Sequence, residues 1–116
     1  MAADLSARVS AEEARERVRR ALAERGEAFD VLLRGQGGLE VEYYAPSDAD
    51  PQKPHDRDEL YFIERGSGVF FVGGERVRFS AGDMLFVAAG VEHRFEDFSP
   101  SFGAWVVFFG ERRQKN

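Results

Sequence analysis

The side chains in this chain that can do chemistry are two histidines and one glutamate. His55 and His93 are all the histidine there is, and the chain has no cysteine. Imidazole and carboxylate are therefore the strong metal ligands available, and both thiolate metal sites and disulfides are excluded. Glu59 follows His55 by four residues. These three residues are the candidate ligands of a metal ion.

The segment around His93 is typical of a strand with one solvent-exposed face. His93 alternates with charged residues, and its apolar neighbours Val91 and Phe95 lie two positions away on the same side. Successive strand side chains point to opposite faces of a sheet. Because the charged face must be the one in water, we predict that His93 points inward.

Glu59 also shares a predicted strand face with apolar neighbours, Tyr61 and Ile63. A buried carboxylate is costly unless it is paired, protonated or bound to a cation, so a partner is expected for Glu59. In a fully extended chain the alpha carbons of His55 and Glu59 would lie roughly 13 Å apart. The intervening residues 56–58 contain two aspartates and are turn-prone. A fold-back there would bring His55, Glu59 and His93 together.

At these positions the sequence resembles the cupin family over about its last two thirds. The first cupin motif has two histidines one residue apart, a glutamate three or four residues on, and then a glycine. His55 takes the place of the second histidine, Glu59 of the glutamate and Gly66 of the glycine. Lys53 stands where the first histidine is expected.

The second cupin motif is similar to the stretch that ends with His93. Gly82, Gly90 and His93 match it, whereas Ala88 replaces its proline and Asp97 its terminal asparagine. The resemblance implies an all-β, antiparallel jelly-roll barrel, the double-stranded β-helix of cupins, with one N-terminal α-helix added here. It also implies a divalent transition metal, Fe, Mn, Ni or Zn, held by His55, Glu59 and His93. A hydrogen-bonded core histidine is the alternative reading of His93.

Two functions agree with this resemblance. One is a metal-dependent enzyme, a dioxygenase or isomerase of a small organic compound, in which Tyr61 is the candidate proton donor or orienting group. In that reading Lys53, Tyr61, Phe95 and Trp105 are candidates for the substrate pocket, and packing is the alternative role of Tyr61. The other is a non-catalytic module that binds or senses a small molecule, with a structural metal or none. A fold of this kind hosts many functions, so nothing selects a substrate.

Composition and net charge indicate which cellular location and which binding partners to expect. The net charge of −5 argues against nucleic-acid binding, which needs concentrated positive potential. No segment is typical of a secretory signal or a membrane span, so a cytoplasmic protein with no membrane partner is the expectation. An open sheet edge would pair with another copy, and the resemblance also favours a homodimer.

A length of 116 residues is typical of one domain with a single hydrophobic core. We predict a helical extension over residues 1–28, a β-barrel over 29–110 and a basic tail over 111–116. The helix is expected from Ser10 to about Arg25, because Ser10 and Glu13 form a capping-box pattern. About eight strands are expected from alternation and turn glycines, over 29–34, 39–45, 59–64, 69–72, 75–79, 83–87, 92–95 and 102–109. Most aromatic side chains, Phe86 among them, are expected in the core.

Overall fold

The computed structural model describes residues 8–50 and 53–112 of the chain. Within them it has one helix, α1 (Ala11–Arg25), followed by eight strands. In chain order the strands are β1 (Phe29–Arg34), β2 (Glu40–Tyr44), β3 (Asp58–Arg65), β4 (Ser67–Val72), β5 (Glu75–Ser80), β6 (Met84–Val87), β7 (His93–Glu96) and β8 (Gly103–Phe109). Each predicted element is present, with ends that differ by two residues at most. Residues 1–7 of the predicted extension and 113–116 of the predicted tail lie outside the described residues.

Helix α1 has the caps that its sequence predicts. The Ser10 hydroxyl accepts a hydrogen bond from the backbone N–H of Glu13 at 3.1 Å, which satisfies one of the free donors of the first turn. At the other end Gly26 adopts a left-handed conformation, φ 70°, and its N–H donates to the carbonyl of Leu22. No helix in the described part of the chain is long and apolar enough to cross a membrane.

The strands form two antiparallel sheets. The larger sheet has the order β1-β2-β8-β3-β6, and the smaller one has the order β5-β4-β7. The hairpin between β4 and β5 turns at Gly73 and Gly74, whose φ angles of 57° and 88° are those that a two-residue turn of the primed type requires. This is the antiparallel jelly-roll arrangement with a single helix that the sequence predicts.

The main core lies between the two sheets. It is built from side chains of both: Phe70, Phe79 and Phe95 come from the smaller sheet, and Tyr61, Ile63, Val87, Ala104, Val106 and Phe108 from the larger. Because every second residue of each strand faces this core, the residues between them lie on the outer face of the sheet. The position of a residue in this alternation therefore decides whether its side chain points into the space between the two sheets.

A second, smaller core lies on the outer face of the larger sheet, under the helix. Ala14 and Val18 of α1 are buried there against Tyr43 of β2. The Tyr43 hydroxyl donates to Glu64 Oε1 at 2.6 Å, and Arg15 of the helix donates to the same oxygen, also at 2.6 Å. The helix thus covers β1 and β2 and leaves the outer face of β6 open.

Phe71 and Phe86 were both expected in the core and are not there. Phe71 lies under the guanidinium groups of Arg76 and Arg94 on the outer face of β4. Phe86 lies on the outer face of the edge strand β6 and is 51% exposed, next to Met84 at 58%. Its inward neighbour Val87 is 2% exposed. Strand alternation allows only one of two adjacent side chains into the core, and here the smaller one is inside.

Candidate metal centre

The three candidate ligands converge between the two sheets. His55 lies just before β3, Glu59 lies within β3, and His93 begins β7 on the opposite sheet. One ligand atom from each lies within 4.8 Å of the others. His93 Nε2 and Glu59 Oε1 are 3.0 Å apart, and His55 Nε2 is 3.8 Å from the same oxygen. The fold-back expected at residues 56–58 therefore brings His55 to Glu59.

The backbone holds the ring of His93 in place. Its Nδ1 lies 2.9 Å from the carbonyl oxygen of Val91. Because a carbonyl oxygen can only accept, Nδ1 must carry the proton and donate it, and the lone pair of a neutral ring is then on Nε2. A backbone carbonyl that accepts from the other ring nitrogen orients metal-binding histidines in many proteins. His93 thus presents Nε2 to Glu59.

The centre contains buried polar atoms that have no hydrogen-bond partner among the described residues. Both carboxylate oxygens of Glu59 and Nε2 of His93 are in this state, although the two residues are only 0% and 1% exposed. Unsatisfied buried polar atoms are rare and costly, and a carboxylate is the costliest. Two lone pairs that face each other at 3.0 Å need a proton or a cation between them. The arrangement leaves room for either.

The spacing of the donor atoms fits one ion. Ligand bonds of about 2.1 Å place neighbouring donors of one ion about 3.0 to 3.4 Å apart. The contact of His93 with Glu59, 3.0 Å, already has this length, and that of His55, 3.8 Å, is slightly longer. The His55 side chain is 34% exposed, so a small adjustment of its ring would complete the set. Two imidazoles and a carboxylate are a donor set that Fe, Mn, Ni and Zn accept.

The two histidines differ in how readily they are protonated. Burial lowers the pKa of His55, which favours the neutral, ligating form near neutral pH. Burial acts in the same direction on His93, but Glu59 and the Val91 carbonyl outweigh it, and the pKa of His93 is raised. A cation at this centre would therefore compete with a proton on His93.

A cavity of about 600 Å³ opens next to His55. This volume is within the range of small-molecule sites. Its walls come from the end of the helix, β2, the loop after β2, the segment before β3, and β8: Gly26, Glu27, Ala28, Phe29, Glu42, Tyr44, Pro46, Ser47, Asp48, Ala49, His55, Arg57, Val106 and Phe108.

Asp50 anchors the loop that forms one wall of the cavity. Its Oδ1 accepts a hydrogen bond from the Tyr44 hydroxyl, and its Oδ2 accepts one from the backbone N–H of Phe95 at 2.7 Å. The loop after β2 is therefore joined to both sheets. No role was predicted for Asp50, because it lies in a polar, proline-bounded stretch that is typical of a plain connector.

Glu42 is a cavity residue that the sequence reasoning missed. It lies on β2 and lines the cavity together with Tyr44. Burial, a hydrogen bond to Glu40 and the nearby charge of Glu59 together raise the pKa of Glu42 to about 8. Burial would also raise the pKa of Glu40, but its hydrogen bonds with Glu42 and Arg57 outweigh that and lower it. The available signal was Glu42 sharing a strand face with Tyr44.

The four residues expected to line a substrate pocket lie elsewhere. Lys53 is exposed in the segment before His55, and Phe95 and Tyr61 are buried in the core, 2% and 0% exposed. The Tyr61 ring packs against Phe95 at 4.9 Å and lies 6.3 Å from the ring of His93. None of them is among the residues that line the cavity.

Trp105 is on the opposite side of the sheet from its expected location. Its ring packs edge-on against Tyr43 at 5.2 Å, in the small core under the helix. Its neighbours Ala104 and Val106 point into the main core instead. Adjacent strand residues cannot share a face, so Trp105 is excluded from the cavity that Val106 lines.

Comparisons with known proteins agree with this architecture. The family model described as "Cupin domain" matches residues 40–101. An uncharacterized protein of Streptomyces coelicolor is 41% identical over 59 residues, which are 51% of this chain and 56% of that protein. The HTH-type transcriptional activator RhaS of Yersinia pestis is 30% identical over 81 residues, 70% of this chain and 30% of the activator. The chain thus spans about half of the first relative's length and less than a third of the second's.

Among solved structures, a cupin protein from Bacteroides fragilis superposes with a TM-score of 0.57 and 24% sequence identity. The match covers 78% of this chain and 82% of that one. At this identity the likeness concerns the fold.

Proposed function

The chain belongs to the cupin domain family, and from that premise we propose that it binds a divalent transition metal and acts on a small organic molecule in the adjoining cavity. His55, Glu59 and His93 would hold the metal. The observation that carries the proposal is that the buried oxygens of Glu59 and Nε2 of His93 meet at 3.0 Å and make no hydrogen bond to any other described residue. Such a group is costly in an empty protein and is what a cation would satisfy.

The donor set leaves a metal ion with open positions. Three protein ligands occupy fewer sites than Fe, Mn or Ni normally fill, and they match the number in catalytic zinc sites. When bound, the ion would supply Lewis-acid polarisation of a substrate oxygen or activation of water. A dioxygenase- or isomerase-like reaction is the enzyme class that we propose.

The protein's own residues supply positioning and proton transfer. The Val91 carbonyl fixes the ring of His93, and Glu59 provides the negative charge that balances a cation. Glu42 reaches the cavity wall with a proton that it keeps near neutral pH, since its pKa is about 8. It is therefore a better-placed proton donor than Tyr61, which supports the His93 ring from within the core.

A second candidate function is supported by the similarity to RhaS. That protein is named a transcriptional activator, and the similarity spans 70% of this chain. In this alternative the jelly roll is a module that binds or senses a small molecule in the cavity, and the metal is structural or absent. The two functions differ in whether the ion has an exchangeable position.

Metal analysis tests the proposal directly. Protein purified without an affinity tag or chelator should contain close to one first-row transition metal per chain, and His93→Ala should lose it. Tyr61→Phe is the matched control, because Tyr61 is equally buried and lies beside His93. If wild-type protein stays metal-free after dialysis against Zn²⁺, Mn²⁺, Ni²⁺ and Fe²⁺ in turn, the metal proposal fails.

Cobalt substitution separates the two functions. In Co²⁺-loaded protein an open position should be filled by added azide, which changes the visible absorption spectrum. An unchanged spectrum would mean that the ion is closed to ligands, which favours the sensing module. The titration follows ligand exchange itself, so it needs no knowledge of the substrate.

We also propose that the chain forms a homodimer through the edge strand β6. Phe62, Met84 and Phe86 are exposed there by 40%, 58% and 51%. Phe62 and Met84 are paired across β3 and β6, and β6 is the last strand of the larger sheet among the described residues. The exposed side chains therefore form one patch at the edge of that sheet. An apolar edge of this kind pairs readily with a copy of itself.

A further inference from the structure

We infer that Arg57 is a binding subsite for an oxyanion group, carboxylate or phosphoryl, on the molecule that occupies the cavity. The inference deepens the proposed function, since it assigns a chemical class to the ligand of the same cavity. Arg57 lines this cavity together with His55, which precedes it by two residues. Their alpha carbons are at most about 7 Å apart, so one small molecule can reach both.

Arg57 is an unusually buried cation. Its exposure is 9%, a state that arginine rarely adopts unless it is paired. Nη1 donates to the carbonyl of Gly38 at 3.0 Å, and Nη2 donates to Glu40 Oε1 at 3.3 Å. The guanidinium carbon lies 4.9 Å from the centre of the Phe108 ring, another residue of the cavity wall. The group is therefore fixed in position before any ligand arrives.

One donor of this guanidinium, Nε, has no hydrogen-bond acceptor within the described part of the chain. Nε of Arg57 is buried and makes no hydrogen bond to any described residue, and Asp56 Oδ1 lies 4.0 Å from it. That distance is beyond hydrogen-bond range. A buried donor on a charged group costs free energy unless something accepts from it. Carboxylate and phosphoryl oxygens are the acceptors that match an arginine fork.

The surrounding charges leave Arg57 only partly neutralised. Among the described residues Arg57 has two carboxylate partners, Glu40 at 3.3 Å and Asp56 at 4.0 Å. Each is shared with another arginine, Glu40 with Arg34 at 3.8 Å and Asp56 with Arg112 at 2.8 Å. A divalent ion at His55, Glu59 and His93 would add positive charge to the same cavity. An anionic ligand would then meet attraction from both ends of the site.

Arg57 also borders a shallower cleft on the surface, and the test must separate the two locations. That cleft is lined by Arg34 and Arg112, neither of which lines the cavity. Arg34 is the matched control, because it contacts the same Glu40 but its side chain is 70% exposed.

The test measures binding of two probes, sodium succinate and inorganic phosphate, to the full chain loaded with Zn²⁺, by isothermal titration calorimetry. At least one probe should bind the wild type. Arg57→Gln should weaken that binding about 10- to 100-fold, as expected for loss of a buried charged hydrogen bond. Arg57→Lys keeps the charge but loses the fork, so its affinity should fall between the two. Arg34→Gln should stay within about twofold of wild type, as for an exposed charge.

Each other outcome overturns the inference. If neither probe binds wild type at millimolar concentration, or if Arg57→Gln binds as wild type does, Arg57 is a structural arginine. If Arg34→Gln or Arg112→Gln loses binding equally, the anion occupies the surface cleft. Should Arg57→Gln fail to fold in a thermal melt, the decision passes to Arg57→Lys, which must then bind more weakly than wild type.

The experiment separates failure of this inference from failure of the proposed function. Metal content is measured on the same samples, and Arg57→Gln should keep its metal. His93→Ala without metal should retain the part of anion binding that Arg57→Gln removes. Loss of metal binding with retained Arg57-dependent anion binding would refute the metal proposal alone.

Discussion

The pH dependence of stability should be set in part by Glu42. Its pKa rises from 4.5 to about 8, with burial as the main cause. Below pH 4.5 the carboxyl is protonated in both the folded and the unfolded chain and costs nothing. Between the two values only the folded chain keeps the proton, so stability falls as pH rises, and above pH 8 the penalty is complete. Glu42→Gln removes the titrating group and should remove this slope.

The magnitude follows from the two pKa values. Their difference of about 3.5, at 1.36 kcal/mol per pKa unit, corresponds to roughly 5 kcal/mol. Most of this change falls between pH 5 and pH 8.5, so we expect Glu42→Gln to gain about 4 kcal/mol on wild type over that range. The amide keeps a donor towards Glu40, which makes glutamine the conservative choice.

The assay is urea denaturation of metal-free protein at half-unit pH steps from 4 to 9. The free energy of unfolding of each variant is compared with that of wild type at the same pH. Glu75→Gln, at an exposed position at the start of β5, serves as the control and should run parallel to wild type. A constant difference between Glu42→Gln and wild type across this range would refute the reasoning, because it would mean that Glu42 ionises in the fold as it does in water.

Four further outcomes are expected. Saturating Zn²⁺, at about 1,000 times its dissociation constant, should stabilise wild type by about 4 kcal/mol and raise its melting temperature by roughly 15 °C, with no rise in His93→Ala by calorimetry. Tyr43→Phe should cost about 1–2 kcal/mol through its lost hydrogen bond to Glu64, with metal content unchanged by elemental analysis. Lys53→Ala should leave metal content unchanged, whereas Lys53→His should tighten metal binding in a competitive chelator titration by adding a donor near the exposed side of His55. Light scattering should give the mass of two chains for wild type and of one chain for Met84→Lys, and a single-chain mass for both would contradict the dimer proposal.

The part of the site that sequence could predict depends on strands with one polar face. His93 stands among apolar neighbours on a strand whose other face is charged, so its inward direction follows from alternation. Glu59 shares its face with Tyr61 and Ile63, but the other face of that strand is apolar as well, so Glu59 was identified by its need for a partner. Trp105 could not be placed in this way. Strand β8 is apolar on both faces, because its outer face packs against other elements of the fold and its inner face lines the core. In a continuous apolar run the sequence does not show which of the two sets of alternate residues points inward.

Glu42 and Arg57 were missed for a different reason. A charged residue on a strand or in a turn is ordinarily exposed to solvent. By that rule, the face of β2 that carries Glu40 and Glu42 would be the solvent-exposed one. Helix α1 reverses this, since it covers the Tyr43 face and leaves Glu42 to the cavity. Arg57 lies among turn-prone aspartates, and its burial results from long-range contacts with Gly38 and Phe108. No local pattern contains such contacts.

The two buried carboxyl groups of the site, Glu59 and Glu42, influence each other electrostatically. Glu59 lies beside His93 at 3.0 Å, where it would contact a bound cation, whereas Glu42 avoids the cost of a buried charge by holding a proton. The charge of Glu59 is one of the causes that raise the pKa of Glu42. A cation on Glu59 would cancel that repulsion and lower the pKa of Glu42, besides displacing a proton from His93. Metal loading should therefore release protons from both residues, and the pH slope of stability that Glu42 creates should be shallower in the loaded protein than in the metal-free one.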